Sequence, residues 1–334
     1  VIAAGLSSAL LTLGACGDSS DSSTPTASPA ASGSSTPAAS APASPSAKPT
    51  KAPASTNLDA VKVTGDYGKE PKVTVKTPWG IDKTRTKVLK SSNGATIKAG
   101  QTVEVNYYGV NGRTGKKFDD SFSRGAPIAF NLDQVVPGFS KGLVGQRQGS
   151  RVLIGMPGSD GYDASGGSPQ AGIEVGDSLI FVVDVVTVQL PGPSGTKVTP
   201  KAGLPTVTDA GTGKAPKITV PKTKPPTSLQ VQPLIKGKGA KVGPTDTITF
   251  NYSWVRWSDG KVLEESYTSK PAMHQLDGLL PGMQKGLVNQ PVGSRVLLVI
   301  PPADGYPDGN ATPKIDKGET LVMVVDLLFT QPAQ

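Results

Sequence analysis

Residues 103–109 read Val-Glu-Val-Asn-Tyr-Tyr-Gly, with Val103, Val105 and Tyr107 alternating with polar or outward-facing neighbours. Successive side chains of a strand point to opposite faces, so this alternation predicts a half-buried β-strand. The same three positions recur 145 residues later as Ile248, Phe250 and Tyr252. Outward from this stretch the self-match extends in both directions. PKVTV at 71–75 pairs with PKITV at 216–220, Val136-Pro137-Gly138 with Leu280-Pro281-Gly282, GSRVLI at 149–154 with GSRVLL at 293–298, and Gly161-Tyr162 with Gly305-Tyr306. A period this long means two copies of a whole domain rather than a solenoid.

Each copy is strand-dominated, with one short helical segment after a proline, 138–143 in the first and 282–287 in the second. Proline is at home in the first turn of a helix, where its missing N–H costs nothing. The stretch 178–188 is, after Ser178, apolar on both faces apart from Asp184 and Thr187, which predicts a central strand. The expected architecture is α+β, a twisted antiparallel sheet wrapped around a short helix, made twice.

The rest of the 334 residues reads as tail and linker. With 40 Gly, 31 Pro and 5% aromatics, much of the chain cannot be core. Residues 1–15 form an apolar run ending at Cys16, the chain's one cysteine, and Leu13-Gly14-Ala15-Cys16 resembles a bacterial lipobox whose cysteine takes a diacylglycerol. The run has no methionine or basic flank before it, so the protein is expected to begin further upstream. A Ser/Thr/Ala/Pro tract follows that has too few large side chains to offset chain entropy. The expected plan is a lipoprotein signal peptide at 1–16, a disordered tether at 17–65, a first domain at 66–190, a linker at 191–213 and a second domain at 214–334. Localisation is then extracytoplasmic, lipid-anchored to the cell membrane through Cys16.

The net charge of +8 is dispersed, except for six lysines from Lys197 to Lys224 that face only Asp209. That run reads either as solvated linker or as a contact to anionic envelope polymers. No aromatic residue interleaves with those lysines, which argues against a nucleic-acid platform. The glycine-rich runs 109–116 and 237–243 miss the spacing of phosphate and dinucleotide loops and read as turns.

Taken in order, Val105-Asn106-Tyr107-Tyr108-Gly109, Lys117-Phe118-Asp119-Asp120-Ser121, Val135-Val136-Pro137-Gly138-Phe139, Asp160-Gly161-Tyr162 and Leu179-Ile180-Phe181 resemble the FKBP family of peptidyl-prolyl isomerases. The resemblance covers about 81–189, and more weakly 227–330. It implies an aromatic pocket for X-Pro segments of secreted or envelope proteins. Tyr107, Phe118, Asp119, Val136, Phe139, Tyr162 and Phe181 would be its catalytic residues, and Ile128, Val135 and Ile173 further substrate contacts. By the same resemblance the proline ring sits over Phe139 against Phe118 and Phe181, the Val136 amide and the Tyr162 hydroxyl hold flanking carbonyls, and Asp119 orients the site by a bond to Tyr107. The loop 164–172 lacks the family's usual aromatic or histidine contact. No cofactor or metal is called for.

In the second copy Leu263, Glu264, Ala272, Met283 and Met323 stand for Phe118, Asp119, Ile128, Phe139 and Phe181, while Tyr252, Leu279, Leu280 and Tyr306 remain. Losing three rings is expected to leave a degenerate pocket with weak or absent activity. His274, at the position of Phe130, reads as structural or surface rather than catalytic. Two other functions stay open: a non-catalytic chaperone that binds proline segments, and an envelope-structural lipoprotein that uses the fold as a scaffold.

Overall fold

The computed structural model describes residues 53–333. The lipobox with Cys16, and the Ser/Thr/Ala/Pro tract as far as residue 52, lie outside the described residues. Among those described, no helix is long and apolar enough to cross a membrane.

The first copy contains strands β1 (Arg85–Lys90), β2 (Thr102–Asn111), β3 (Lys117–Asp120) and β4 (Ile128–Asn131), then helix α1 (Pro137–Leu143), then β5 (Arg151–Met156) and β6 (Leu179–Val188). They form one sheet in the order β1-β5-β6-β2-β3, with β4 also paired to β2. Every pairing is antiparallel. Helix α1 lies against β5, and the approach is close because the helix presents glycines. A Cβ on Gly138 would meet the Met156 Sδ at 2.6 Å, and one on Gly142 would meet Ile154 at 2.6 Å. Between helix and sheet sit Val103, Val105, Tyr107, Phe139, Leu143, Ile154, Phe181 and Val183, all buried.

The second copy repeats this with β7 (Gln230–Gly237), β8 (Thr247–Arg256), β9 (Val262–Glu265), β10 (Ala272–Gln275), α2 (Pro281–Leu287), β11 (Arg295–Ile300) and β12 (Leu321–Gln331). The order is β7-β11-β12-β8-β9, with β10 paired to β8.

The structure corrects the expected boundaries at both arms. Residues up to 65 were expected to belong to a disordered tether, yet Leu58 and Val61 are buried with Trp79 and Ile81 against Ile180, Val182 and Leu153 on the outer face of the sheet. Lys62–Thr64 pairs with Lys72–Thr74 in a small hairpin on that face. The central strand β6 is therefore apolar on both sides because both sides are covered, and burying that outer face is what orders the arm. Likewise the expected linker 191–213 belongs to the second unit. Gly195–Lys197 pairs with β7, Thr206–Thr208 pairs with Lys217–Thr219, and Leu204 and Val207 pack over Val322 and Val324.

The arginine of each repeated Gly-Ser-Arg pins its arm. Arg151 is buried and bonded to Asp184 at 2.5 and 2.7 Å, and it donates to the carbonyls of Gly65 and Lys69 at 2.7 Å each. Arg295 makes the same pair with Asp326 at 2.6 Å and reaches Asp209 at 3.0 Å. A buried guanidinium is tolerated only when its donors are filled, and the strand carboxylate together with the arm, through backbone carbonyls at Arg151 and the Asp209 carboxylate at Arg295, fills them.

Candidate active site

The sheet and helix of the first copy bring five rings together. Phe181 near the start of β6 meets Phe139 of α1 at 5.3 Å and 77°, and Phe118 of β3 at 5.5 Å and 89°. Tyr107 of β2 and Phe130 of β4 pack edge-on to each other at 5.7 Å, and Phe130 meets Phe139 at 5.8 Å. Edge-to-face contact suits the ring quadrupoles and makes the cluster stiff.

Phe118 reaches this place because the strand opposite carries a glycine. Gly109 pairs with Asp119, and the register slips between Gly109 and Val110, so Phe118 is the residue without a partner on β2. Its ring lies over Gly109, where a Cβ would come within 2.6 Å of Cζ.

Beside this cluster opens a cavity of about 750 Å³, bordered by Phe118, Asp119, Arg124, Val135, Val136 and Tyr162 together with the 161–171 loop. Of the residues that the sequence suggested, Phe118, Asp119, Val135, Val136 and Tyr162 stand on its wall. Phe139 and Phe181 do not. Both are 0% exposed, one layer beneath, with Phe181 against Phe118 and Phe139 behind Phe181. The expected seat of a proline ring over Phe139 and against Phe118 and Phe181 is therefore corrected for Phe139 and Phe181: of the three only Phe118 borders the cavity, its ring packed on Phe181. Tyr107 and Ile173 are buried in the same core, and Ile128 packs half-buried at its edge.

The polar part of the site is a closed triad. The Tyr107 hydroxyl donates to Asp119 Oδ2 at 2.6 Å, while Arg124 donates from Nη1 to Tyr107 Oη at 2.9 Å and from Nη2 to Asp119 Oδ1. Burial, then the bond to Asp119, raises the Tyr107 phenol above its ordinary value. Arg124 escaped the sequence reading because it lies five residues beyond the Phe-Asp motif, at the end of the 3-10 turn Phe122–Arg124. A lone arginine before Gly125 carries no signal of its own.

Two donors at the cavity lack protein acceptors among the described residues. Tyr162 Oη makes no hydrogen bond, and burial with the nearby Asp119 charge pushes its pKa up to about 12, so it keeps its proton. The Val136 N–H, just ahead of Pro137 at the start of α1, has no acceptor either. No group of three or more His, Cys, Asp or Glu able to hold a metal occurs among the described residues.

The second copy has a cavity of about 310 Å³ at the equivalent place. Leu263 takes the unpartnered position of Phe118, but Trp254, paired with Glu264, stands where Gly109 pairs with Asp119. Trp254, Phe250, Tyr252 and Tyr306 border the cavity, which reaches Met283 and Met323 at the positions of Phe139 and Phe181. The expected loss of the aromatic wall is thus corrected: the large ring comes from the central strand β8 instead of from β9. Tyr252 donates to Glu264 at 2.8 Å, and burial with this bond pushes its pKa up to about 12.

The family model described as FKBP-type peptidyl-prolyl cis-trans isomerase matches residues 94–186 and again 238–328. The chain belongs to this family of peptidyl-prolyl cis-trans isomerases. It is 39% identical over 107 residues to the FK506-binding protein of Streptomyces anulatus, covering 30% of this chain and 83% of that protein. It is 34% identical over 102 residues to FkpA of Escherichia coli strain K12, covering 30% of this chain and 36% of FkpA. The crystal structure of Escherichia coli FkpA aligns at 33% identity and a TM-score of 0.29, over 31% of this chain and 47% of that one.

Proposed function

We propose that the first copy catalyses cis/trans rotation of X-Pro bonds in exported polypeptides, with Phe118, Val135, Val136 and Tyr162 as the proline-facing wall. The observation that carries this reading is the pair of unspent donors, Tyr162 Oη and the Val136 N–H, beside an apolar wall bordering one cavity.

Rotation is opposed by amide resonance, a barrier of roughly 18–20 kcal/mol, and the uncatalysed X-Pro step takes tens to hundreds of seconds. The twisted transition state has lost conjugation and with it the charge separation across C–N. An apolar wall therefore disfavours the planar amide more than the twisted one. Proline suits such a wall because it has no N–H to leave unsatisfied. Carbonyls on either side of the bond would take the two donors and keep the ends fixed while the bond turns. Asp119 is held by both Tyr107 and Arg124, which suits a positioning role instead of proton transfer. No bond forms or breaks.

The segment Leu13-Gly14-Ala15-Cys16 supports placing this activity outside the cytoplasm on a lipid anchor. The catalytic reading is tested with Tyr162→Phe. Loss of the donor is expected to lower kcat/KM about fivefold, the worth of one hydrogen bond of about 1 kcal/mol, at unchanged thermal stability. An unchanged kcat/KM would remove Tyr162 from the site.

A further inference from the structure

The second cavity differs from the first in the charge at its mouth. In the first, the carboxylate of Asp119 is matched by Arg124. In the second, the corresponding carboxylate, Glu264, is exposed and bonded to the neutral Tyr252 hydroxyl, no Lys or Arg borders the cavity, and Ser269 holds the place of Arg124. Above this carboxylate the wall is aromatic, with the Trp254 and Tyr306 rings 6.3 Å apart and inclined by 38°.

We infer that the second copy is a binding site for extended polypeptide segments that carry a proline next to a lysine or arginine. The proline packs against the wall that the touching Trp254 and Tyr306 rings form, where a tertiary amide is buried without an orphaned N–H. The neighbouring cation meets Glu264, which shares the cavity border with His274 but with no lysine or arginine. The first site, with its carboxylate already paired, lacks this preference. The two copies thus divide the work: the second retains basic proline-containing stretches and the first turns X-Pro bonds. The inference rests on the reading that this fold grips X-Pro segments, but it concerns a different cavity and other residues.

The chain has three tryptophans, so three indole N–H signals report on Trp79, Trp254 and Trp257 in a nitrogen-15 NMR spectrum of the full chain. The Trp254 signal is identified by its loss in Trp254→Phe. Titration with the peptide Ala-Lys-Pro-Ala is expected to move that signal saturably, and Ala-Glu-Pro-Ala to bind about three- to tenfold more weakly, the scale of a partly screened ion pair. Glu264→Gln, an exposed change that leaves the fold alone, is expected to erase the difference. The inference is overturned if the Trp254 signal stays still at high peptide, or if both peptides bind equally before and after Glu264→Gln. Cis/trans exchange of the same peptides in the same samples reports on the first site. Catalysis without a Trp254 shift defeats this inference alone, whereas the absence of both defeats the isomerase reading as well.

Discussion

Arg124 shows how much a single side chain outside a recognisable motif can matter. It closes the ring of hydrogen bonds through Tyr107 and Asp119, and it borders the cavity. Arg124→Ala is expected to lower kcat/KM about fivefold, from the loss of roughly 1 kcal/mol of partly exposed, charge-assisted bonding. Stability should change little, which a melting curve beside the exchange assay would show. The phenols set the pH behaviour. Since Tyr162 titrates near 12, the donor persists across the physiological range, and the chain's one histidine lies in the second copy. The rate is therefore expected to be flat from about pH 6 to 9. The sign for stability follows from linkage. The folded pKa is raised, so the contribution is fully present below about pH 10, the unfolded value, and is lost as pH rises through about 12. A bell-shaped rate profile centred near neutrality would mean that some other group transfers a proton.

At the scale of elements, strands and helix were legible where they obey a simple period. The alternation of 103–107, the Pro-Gly opening of each helix and the two-faced apolar run 179–188 each have one physical interpretation. The arms were legible only in the repeated pair 71–75 and 216–220, and not in the rest of their length. Their strands are three residues long, and Leu58, Val61 and Trp79 are irregularly spaced, Trp79 between Pro78 and Gly80 and Val61 after Ala60, so no sustained period marks them. Only the sheet they cover gives them a reason to fold. Nor could alignment of the two copies show that Trp254 restores a wall, because it faces Gly109 there and reads as a mismatch. Besides the apolar cover, the polar link between arm and sheet centres on Arg151 and Asp184. Arg151→Ala is expected to destabilise the first unit by about 3–5 kcal/mol, since it leaves Asp184 charged and buried with the Gly68 N–H and no cation. The 53–81 arm should then become sensitive to proteolysis before the sheet does. Equal stability of this variant and the parent protein, measured by urea unfolding, would show that the arm is held by apolar packing alone.

For the whole molecule, duplication has produced one scaffold with two differently finished cavities. The scaffold residues match between copies: the Gly-Ser-Arg turn, the buried Arg–Asp pair, the helix glycines and the central strand. The differences gather at the cavities, where Phe118, Arg124 and Gly109 stand against Leu263, Ser269 and Trp254. Fold and family were readable from sequence because packing constrains many positions at once. The depth of Phe139 and Phe181, and the route by which each copy supplies its outer ring, depend on how one side chain covers another, which no spacing records.

The most direct test measures cis/trans exchange by NMR on an Ala-X-Pro-Phe-type peptide with the full chain, comparing the parent protein with Phe118→Leu and Trp254→Phe. Phe118→Leu installs the second copy's own residue, so the core stays apolar while the ring over Gly109 is lost. Exchange accelerated by the parent protein, reduced about tenfold or more by Phe118→Leu and untouched by Trp254→Phe, is the expected result, a change of at least about 1.4 kcal/mol in the barrier. Exchange that ignores Phe118→Leu, or that falls with Trp254→Phe instead, would contradict the assignment of catalysis to the first copy.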